Sequence, residues 1–234
     1  MTVTTVDAYG APKYGPIGRP PAGLVFHTPE NADISLPSAI AVAKWQATSS
    51  NTSGGSYHGI LAHDATRGSI DNPDAWVMVR SVPWDQASGG LSTLRDTTWA
   101  PDRFPWIKQL ITPAAYSDPN RWFHQIALSG KASWYVTNGY PKGAVIRLAE
   151  WVKILEGAYG YDAVLTLHRM WQTNRSDPGP LDLADKVLAE YERLSTPEPD
   201  YKALWESEKI KSAASERTVA ELMNKIAAAK AALG

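Results

Sequence analysis

Short apolar runs, each bounded by turn residues or closed by a histidine, are the feature that most constrains the fold of this chain. Leu24-Val25-Phe26 ends at His27, and the run 163–167 ends at His168. Apolar runs of four to eight residues between turn signals are typical of strands that are buried on both faces. We therefore expect buried β-strands that each end in a histidine.

Three further runs have the length and composition of strands. The runs 57–63 and 75–82 are separated by a turn-rich stretch, which predicts an antiparallel pair. The run 122–128 is expected to form another strand. Together with the two runs that end in histidine, these segments predict a mixed β-sheet.

Other segments carry apolar residues at helical spacing. Pro37 stands where the first turn of a helix would lie, and the pattern after it predicts a helix from about 36 to 48. Apolar residues between 145 and 155 fall on one helical face and are followed by glycines, and 183–194 shows a similar face. The chain is thus predicted to be an α/β protein with a mixed central sheet flanked by helices.

Composition divides the chain into three parts. Residues 1–22 are rich in Gly and Pro from Gly10 onward, so we expect an extended N-terminal arm without regular structure. Residues 23–195 hold the predicted strands and helices and form the predicted catalytic domain. Residues 196–234 begin with a Pro-rich linker and continue as an Ala-, Lys- and Glu-rich C-terminal helical segment.

The charge and cysteine content exclude several classes of function. A formal net charge of −1 gives no support for nucleic-acid binding, which usually requires a basic surface. The absence of cysteine excludes disulfides, iron–sulfur clusters and cysteine-ligated zinc. No apolar run reaches the length of a signal peptide or a membrane span, so we expect a protein made in a cytoplasm with no membrane insertion.

A metal site in this chain would have to be built from histidine and carboxylate. His27 and His168 each close an apolar strand, and Asp177 follows His168 by nine residues in a turn-forming Asp-Pro-Gly-Pro sequence that can bring it back beside His168. Two histidines and one carboxylate form a common ligand set of catalytic zinc. Taken alone, each residue also has an ordinary interpretation, as a structural histidine or as part of a turn.

A family resemblance makes this pattern more specific. Its first stretch, Val-Phe-His-Thr-Pro-Glu-Asn around His27, is followed in order by Ser-Tyr-His at 56–58, Gln-Ile-Ala-Leu-Ser-Gly at 125–130, and Leu-His at 167–168 with Asp-Pro-Gly-Pro at 177–180. Over roughly residues 20–195 the chain resembles the type 2 N-acetylmuramoyl-L-alanine amidases, which include peptidoglycan-recognition proteins and many phage endolysins. The stretch around His27 most resembles endolysins of phages that infect mycobacteria and related actinobacteria.

The resemblance implies a zinc-dependent enzyme that cuts peptidoglycan between N-acetylmuramic acid and L-alanine. Zn2+ would be held by His27, His168 and Asp177. Tyr57 matches the family tyrosine near the metal, and Arg175 matches a position from which relatives stabilise the oxyanion.

Ala127 departs from part of the family, in which some members carry a catalytic Glu at the matching position. A general acid must still protonate the leaving amine. Zinc-bound water, Tyr57 or an unmatched carboxylate could serve, and the sequence does not choose among them.

The remaining histidines, His58, His63 and His124, are expected to be structural. Side chains of consecutive strand residues point to opposite faces. If Tyr57 faces the site, His58 therefore faces the other layer. His124 is likewise expected to face away from Ala127.

The ten tryptophans favour a Trp-rich core, with a groove for a sugar–peptide polymer as the alternative. The irregular stretch 83–120 contains Trp84, Trp99 and Trp106 and is expected to face the substrate.

The expected partner is bacterial peptidoglycan. The expected use is as a phage endolysin, present in the host cytoplasm before lysis. The alternatives are a hydrolase carried in the virion tail and a non-catalytic peptidoglycan-binding module. An apolar stripe in the C-terminal segment would contact the core, another copy of the chain or a virion protein.

Overall fold

The computed structural model describes most of the first 196 residues of the chain. The described ranges are 4–11, 14–18, 21–48, 55–91, 119–160, 164–172 and 174–196. Trp99, Trp106 and nearly all of the predicted C-terminal segment 196–234 lie outside these ranges, so the expectations for them stay predictions.

Six strands of the described residues form one mixed sheet in the order β1-β4-β3-β5-β2-β6. They are β1 (Thr5–Asp7), β2 (Gly23–His27), β3 (Gly59–His63), β4 (Trp76–Arg80), β5 (Phe123–Leu128) and β6 (Leu165–Leu167). The pair β3–β4 is antiparallel and every other pair is parallel. Because β2 lies between β5 and β6, it is buried along its whole length, as its apolar sequence predicts.

Five α-helices of the described residues accompany the sheet. They are α1 (Leu36–Gln46), α2 (Ala132–Asn138), α3 (Lys142–Tyr159), α4 (His168–Trp171) and α5 (Leu183–Ser195). Ser35 caps α1 by accepting a hydrogen bond from the Ser38 amide, and Pro37 occupies its first turn. Gly160 ends α3 in the left-handed conformation, which glycine adopts at little cost.

The two faces of the sheet have different cores. On one face Phe26, Leu61 and Ile126 pack with α3 and α5 in the larger cluster. On the other face, small residues of α1 such as Ala43 pack against Ile60 and others of the sheet. Small side chains let α1 approach the sheet closely, and this second face also carries the candidate site described below.

The predicted fold class, an α/β protein with a mixed sheet and flanking helices, is confirmed, and so is the antiparallel pair. None of the helices among the described residues has the length and hydropathy needed to cross a membrane.

Two expectations from the sequence are wrong in part. Thr5–Asp7 is a sheet strand paired with β4, although the arm 1–22 was expected to lack regular structure. The first Gly of that region is Gly10, so the preceding residues are free to join the sheet edge. Trp84 packs against the larger core cluster, with its ring centroid 5.3 and 5.5 Å from those of His58 and Trp151, and it does not line the cleft described below.

Candidate metal centre

The topology of the sheet brings two histidines together. β2 and β6 are parallel neighbours, so their carboxyl ends lie at the same edge of the sheet. His27 is the last residue of β2, and His168 follows β6 as the first residue of α4. Their ring centroids lie 4.5 Å apart.

Asp177 is the third member of the group, and the turn predicted from Pro178 and Gly179 brings its carboxylate beside the two histidines. Its Oδ2 lies 3.0 Å from His168 Nδ1 and 3.6 Å from His27 Nδ1. The Thr28 amide also donates to Oδ2 over 3.2 Å. One ligand atom from each of the three residues lies within 4.8 Å of the others, and all three side chains are buried.

The loop that carries Asp177 is held by hydrogen bonds on both sides. The Arg169 amide donates to the Asp177 carbonyl over 3.1 Å, and the Arg169 guanidinium donates to the Gly179 carbonyl over 2.8 Å. The Tyr140 hydroxyl shares its one proton between the carbonyls of Pro178 and Pro180, 3.2 and 3.0 Å away. The position of the carboxylate is therefore fixed by the fold.

The burial and hydrogen bonding of His27 suit it to bind a metal. Its side chain is fully buried, and neither ring nitrogen has a hydrogen-bond partner among the described residues. Burial and the neighbouring His168 lower its pKa to about 4, despite the opposing effect of Asp177, so the ring is neutral at neutral pH. Buried polar atoms without a partner are rare and costly, and a cation bound by the free lone pair would satisfy one of them. The residues present therefore fit a divalent metal, and nitrogen with carboxylate oxygen is a ligand set that zinc accepts.

The surroundings of Asp177 and His168 also suit them to bind a metal. Burial alone would raise the pKa of Asp177, but its interactions with the nearby rings of His168 and His27 outweigh burial and hold the pKa well below its usual range. His168 Nε2 is hydrogen bonded to Gln172 Oε1, which leaves Nδ1 directed at Asp177. Such an outer partner fixes the tautomer and orientation of a ligating histidine.

This group opens into a cleft of about 350 Å³. Tyr57 lines it with its ring centroid 5.1 Å from that of His27, and burial raises the Tyr57 pKa so that the phenol stays neutral. Arg175 lines the cleft from an exposed position. Trp45 of α1 lines it as well and is 46% exposed, so this tryptophan, rather than Trp84, offers a face to a ligand.

The structure also shows which expected residues stay outside the site. Ala127 pairs with His27 in the β2–β5 register and is fully buried against α1, so this position carries no acid. His58 and His124 are buried elsewhere, and the His63 ring is hydrogen bonded to the Gly68 carbonyl over 3.0 Å. Tyr57 contacts His27 while His58 stacks on Trp84, as the predicted alternation requires.

Reasoning from the sequence did not identify Gln172, Thr28 or Glu30, which also line the cleft. Gln172 lies four residues after His168, the spacing at which side chains of a helical turn meet, and this was its available signal. Thr28 acts through its main-chain amide, which any residue carries. Glu30 has no spacing signal, since its position depends on the shape of the loop after β2.

No family model matches the sequence, and no curated protein matches it. Three solved structures illustrate its structural similarities. The hydrolase AmiA of Staphylococcus aureus, in complex with its ligand, aligns at 15% identity over 82% of this chain and 85% of that chain, with a TM-score of 0.49. The N-acetylmuramoyl-L-alanine amidase LysC from Clostridium intestinale aligns at 13% identity over 82% and 98%, with a TM-score of 0.48. Wild-type Drosophila PGRP-LB aligns at 12% identity over 78% and 92%, with a TM-score of 0.49.

Proposed function

We propose that this protein is a zinc-dependent peptidoglycan hydrolase that cleaves the amide bond between N-acetylmuramic acid and L-alanine. The observation that carries the proposal is the buried group of His27, His168 and Asp177, in which both His27 ring nitrogens lack a partner among the described residues. The group opens into a cleft lined by Tyr57 and Arg175. The sequence resemblance to type 2 amidases supports this reaction.

Each residue of the site has a role that follows from its position. His27, His168 and Asp177 would hold zinc, which supplies Lewis-acid activation of water and of the scissile carbonyl. Tyr57, a neutral phenol, can donate a hydrogen bond at the reacting carbonyl, and Arg175 can donate to the oxyanion that develops there.

The cleft is lined by an exposed aromatic ring together with polar and apolar side chains, which suits a substrate made of sugar and peptide. The exposed face of Trp45 offers a flat apolar surface on which a sugar ring can stack. Gln46 and Arg175 add polar groups to the lining, while Val42 adds an apolar one. A substrate that combines a sugar and a short peptide matches this mixture.

We further propose that the enzyme serves a phage of mycobacteria or related actinobacteria as an endolysin, present in the host cytoplasm until lysis. The basis for this assignment is the amino-acid sequence around His27, Val-Phe-His-Thr-Pro-Glu-Asn, which resembles that of such endolysins. A complete ligand set beside an open cleft favours catalysis over a non-catalytic binding role. Detection of the protein in purified virions would instead favour the tail-borne alternative, in which the segment 196–234 contacts a virion partner or another copy.

Analysis of the products tests the reaction. Digestion of purified peptidoglycan should release new L-alanine amino termini and no new reducing sugar ends, as read by mass spectrometry and end-group assays. Chelation should stop the release, and added zinc should restore it. Full activity in a metal-free, chelator-resistant preparation would refute the zinc site, and new reducing ends would refute the amidase assignment.

The assignment of Tyr57 and Arg175 is tested by substitution. Tyr57→Phe and Arg175→Ala should each lower turnover while zinc stays bound, because loss of one oxyanion donor typically costs about 100- to 1000-fold in rate. Unchanged turnover of Arg175→Ala would instead identify Arg175 as a surface charge beside a turn.

A further inference from the structure

Amide cleavage needs a group that moves a proton to the leaving nitrogen, and this requirement applies to the reaction proposed above. The carboxylates of Glu and Asp are among the side chains that carry out this task. The β5 position that faces His27 is Ala127, which cannot serve. A carboxylate that serves this task would come from elsewhere in the cleft.

Two acids, Glu30 and Asp177, line the cleft among the described residues. Asp177 is already engaged, since its Oδ2 lies close to both histidines and accepts a hydrogen bond from the Thr28 amide. Glu30 is the acid that remains for another task.

The backbone at Glu30 is unusual. Its φ angle is 54°, and it is the one non-glycine residue with a positive φ among the described residues. Residues with a side chain avoid this region, and those that occupy it cluster at active sites. Glycine would adopt this φ angle with less strain than glutamate does. The backbone conformation alone therefore does not explain why a glutamate stands at this position.

Hydrogen bonds fix one oxygen of the Glu30 side chain and leave the other available. Oε1 accepts from the Thr28 hydroxyl over 2.6 Å and from the Ala132 amide over 2.9 Å. Oε2 has no hydrogen-bond partner among the described residues. The carboxylate is therefore oriented by two separate segments while one oxygen stays free.

Thr28 connects this carboxylate to the metal centre. Its amide donates to Asp177 Oδ2, and its hydroxyl donates to Glu30 Oε1. The residue next to His27 thus positions both acids of the cleft. Burial does most to raise the Tyr57 pKa, and the charges of Asp177 and Glu30 add to that effect, so Glu30 acts electrostatically on a phenol that contacts His27.

We propose that Glu30 is the proton-transfer residue of this enzyme, an inference that rests on the proposed amidase function. The attacking water adds its hydroxyl to the carbonyl carbon and gives its other proton to Glu30 Oε2. The carbon–nitrogen bond then breaks as Glu30 passes that proton to the L-alanine nitrogen. The products are a free carboxylic acid and a free amine, and Glu30 returns to its ionised form.

Glu30 could also have a purely structural role, because its Oε1 accepts a hydrogen bond from the Ala132 amide in the first turn of α2. In that case, a variant that keeps this hydrogen bond would keep its activity. Glu30→Gln separates the two roles, since the amide keeps an acceptor oxygen for Thr28 and Ala132 but cannot take up the proton. Its kcat should fall about 100-fold or more, with KM, zinc content and Tm at wild-type values. The matched control is Asp33→Asn, an exposed acid of the same loop that caps the Ser35 amide over 2.8 Å and does not line this cleft. It should keep wild-type kcat.

A second variant keeps the test decisive if Glu30→Gln disturbs the loop. Glu30→Gly suits the positive φ and should fold, but it removes the carboxylate. Added formate should then restore part of the lost kcat in this variant and leave Asp33→Asn unchanged. Wild-type kcat in Glu30→Gln, or no rescue of Glu30→Gly, would overturn the role of Glu30. Failure of the wild-type protein itself to release L-alanine termini would refute the amidase function instead, so the two failures are distinguishable.

Discussion

The molecule contains two groups of buried histidines whose surroundings differ in one decisive respect. The metal group consists of His27, His168 and Asp177. The histidine–tryptophan group consists of His58, His124 and Trp84, whose rings lie 5.1 to 5.4 Å apart. All four histidines are almost completely buried, and His27 and His124 belong to strands of the sheet.

Hydrogen bonding separates the groups. His58 Nδ1 accepts from the Gln125 amide over 2.9 Å, and His58 Nε2 lies 2.7 Å from the Gln86 carbonyl. His124 Nε2 lies 2.9 Å from the Trp84 carbonyl. In the metal group, by contrast, neither nitrogen of His27 has a hydrogen-bond partner within the part of the chain that the structure describes, and its Nδ1 lies 3.6 Å from Asp177 Oδ2.

A buried histidine in or next to a strand is therefore not a metal ligand for that reason alone. In the histidine–tryptophan group the main chain supplies the partners, so the rings serve the packing of the sheet against Trp151 and Tyr159 of α3. In the metal group, His27 has no hydrogen-bond partner among the described residues, and a carboxylate and a cleft lie beside it. The free lone pair, rather than burial, identifies the site.

The largest contrast is expected from alanine substitutions in the two groups. His27→Ala, His168→Ala and Asp177→Ala should each lose zinc and reduce L-alanine release to the level of the chelator-treated wild type. His58→Ala should keep one zinc per folded molecule. It should instead lower the free energy of unfolding by about 1–3 kcal/mol for each buried main-chain group left without a partner.

Metal analysis by mass spectrometry, activity on soluble muropeptides and urea unfolding measure these outcomes on the same preparations. Loss of zinc from folded His58→Ala would remove the distinction between the groups. Retention of zinc and activity in folded His27→Ala would show that the lone pair of His27 is not used.

The metal group could be predicted from the sequence because weak local signals mark its parts and the resemblance to type 2 amidases connects them. His27 and His168 follow recognisable apolar runs, and the turn that returns Asp177 to His168 carries Pro and Gly. The separation of Tyr57 from His58 was predictable too, since alternation along a strand is a local rule. The same periodicities predicted the mixed sheet and its main helices.

The remaining features depend on contacts between distant segments. Trp84 lies in a Pro-rich stretch that resembles a substrate loop, but its partners His58 and Trp151 are distant in sequence and decide its position. Glu30 is oriented by Ala132, about a hundred residues away, so no pattern near Glu30 indicates its function. The strand Thr5–Asp7 forms because β4 offers a free edge.

A smaller effect is expected at Gln172, which gives His168 an outer partner of the kind that the main chain gives His58. Gln172→Leu removes the acceptor for His168 Nε2 and should weaken zinc binding about 10- to 100-fold. Activity should return at saturating zinc, because the three ligands remain. Competition with a chelating dye measures the affinity. Gln172→Glu, which keeps an acceptor oxygen, is the matched control, and equal affinities for wild type and Gln172→Leu would show that His168 needs no such partner.

A further difference is expected in the pH dependence of stability, where His58 should behave as a neutral, fully paired ring. Burial, aided by the neighbouring His124, lowers the His58 pKa well below its usual value, and Nδ1 already accepts a hydrogen bond from Gln125. Below about pH 6.5 the unfolded chain binds a proton at this histidine and the folded chain does not. The stability contributed by His58 is therefore complete above that pH and is lost as the pH falls, by about 2 kcal/mol at pH 5.

Comparison of wild type with His58→Gln in chelator-treated samples isolates this contribution from the metal group. At pH 8 histidine is neutral in both states, so the variant should show only its packing and hydrogen-bond loss. At pH 5 the wild type should be less stable than at pH 8 by the contribution of His58, and the variant has no histidine at this position to lose it. The difference in unfolding free energy between wild type and variant should therefore be smaller at pH 5 by about 2 kcal/mol. Urea unfolding at the two pH values measures the gap. A constant gap would mean that His58 accepts a proton in the folded protein, and the hydrogen-bonded ring would then be no more resistant to protonation than an exposed one.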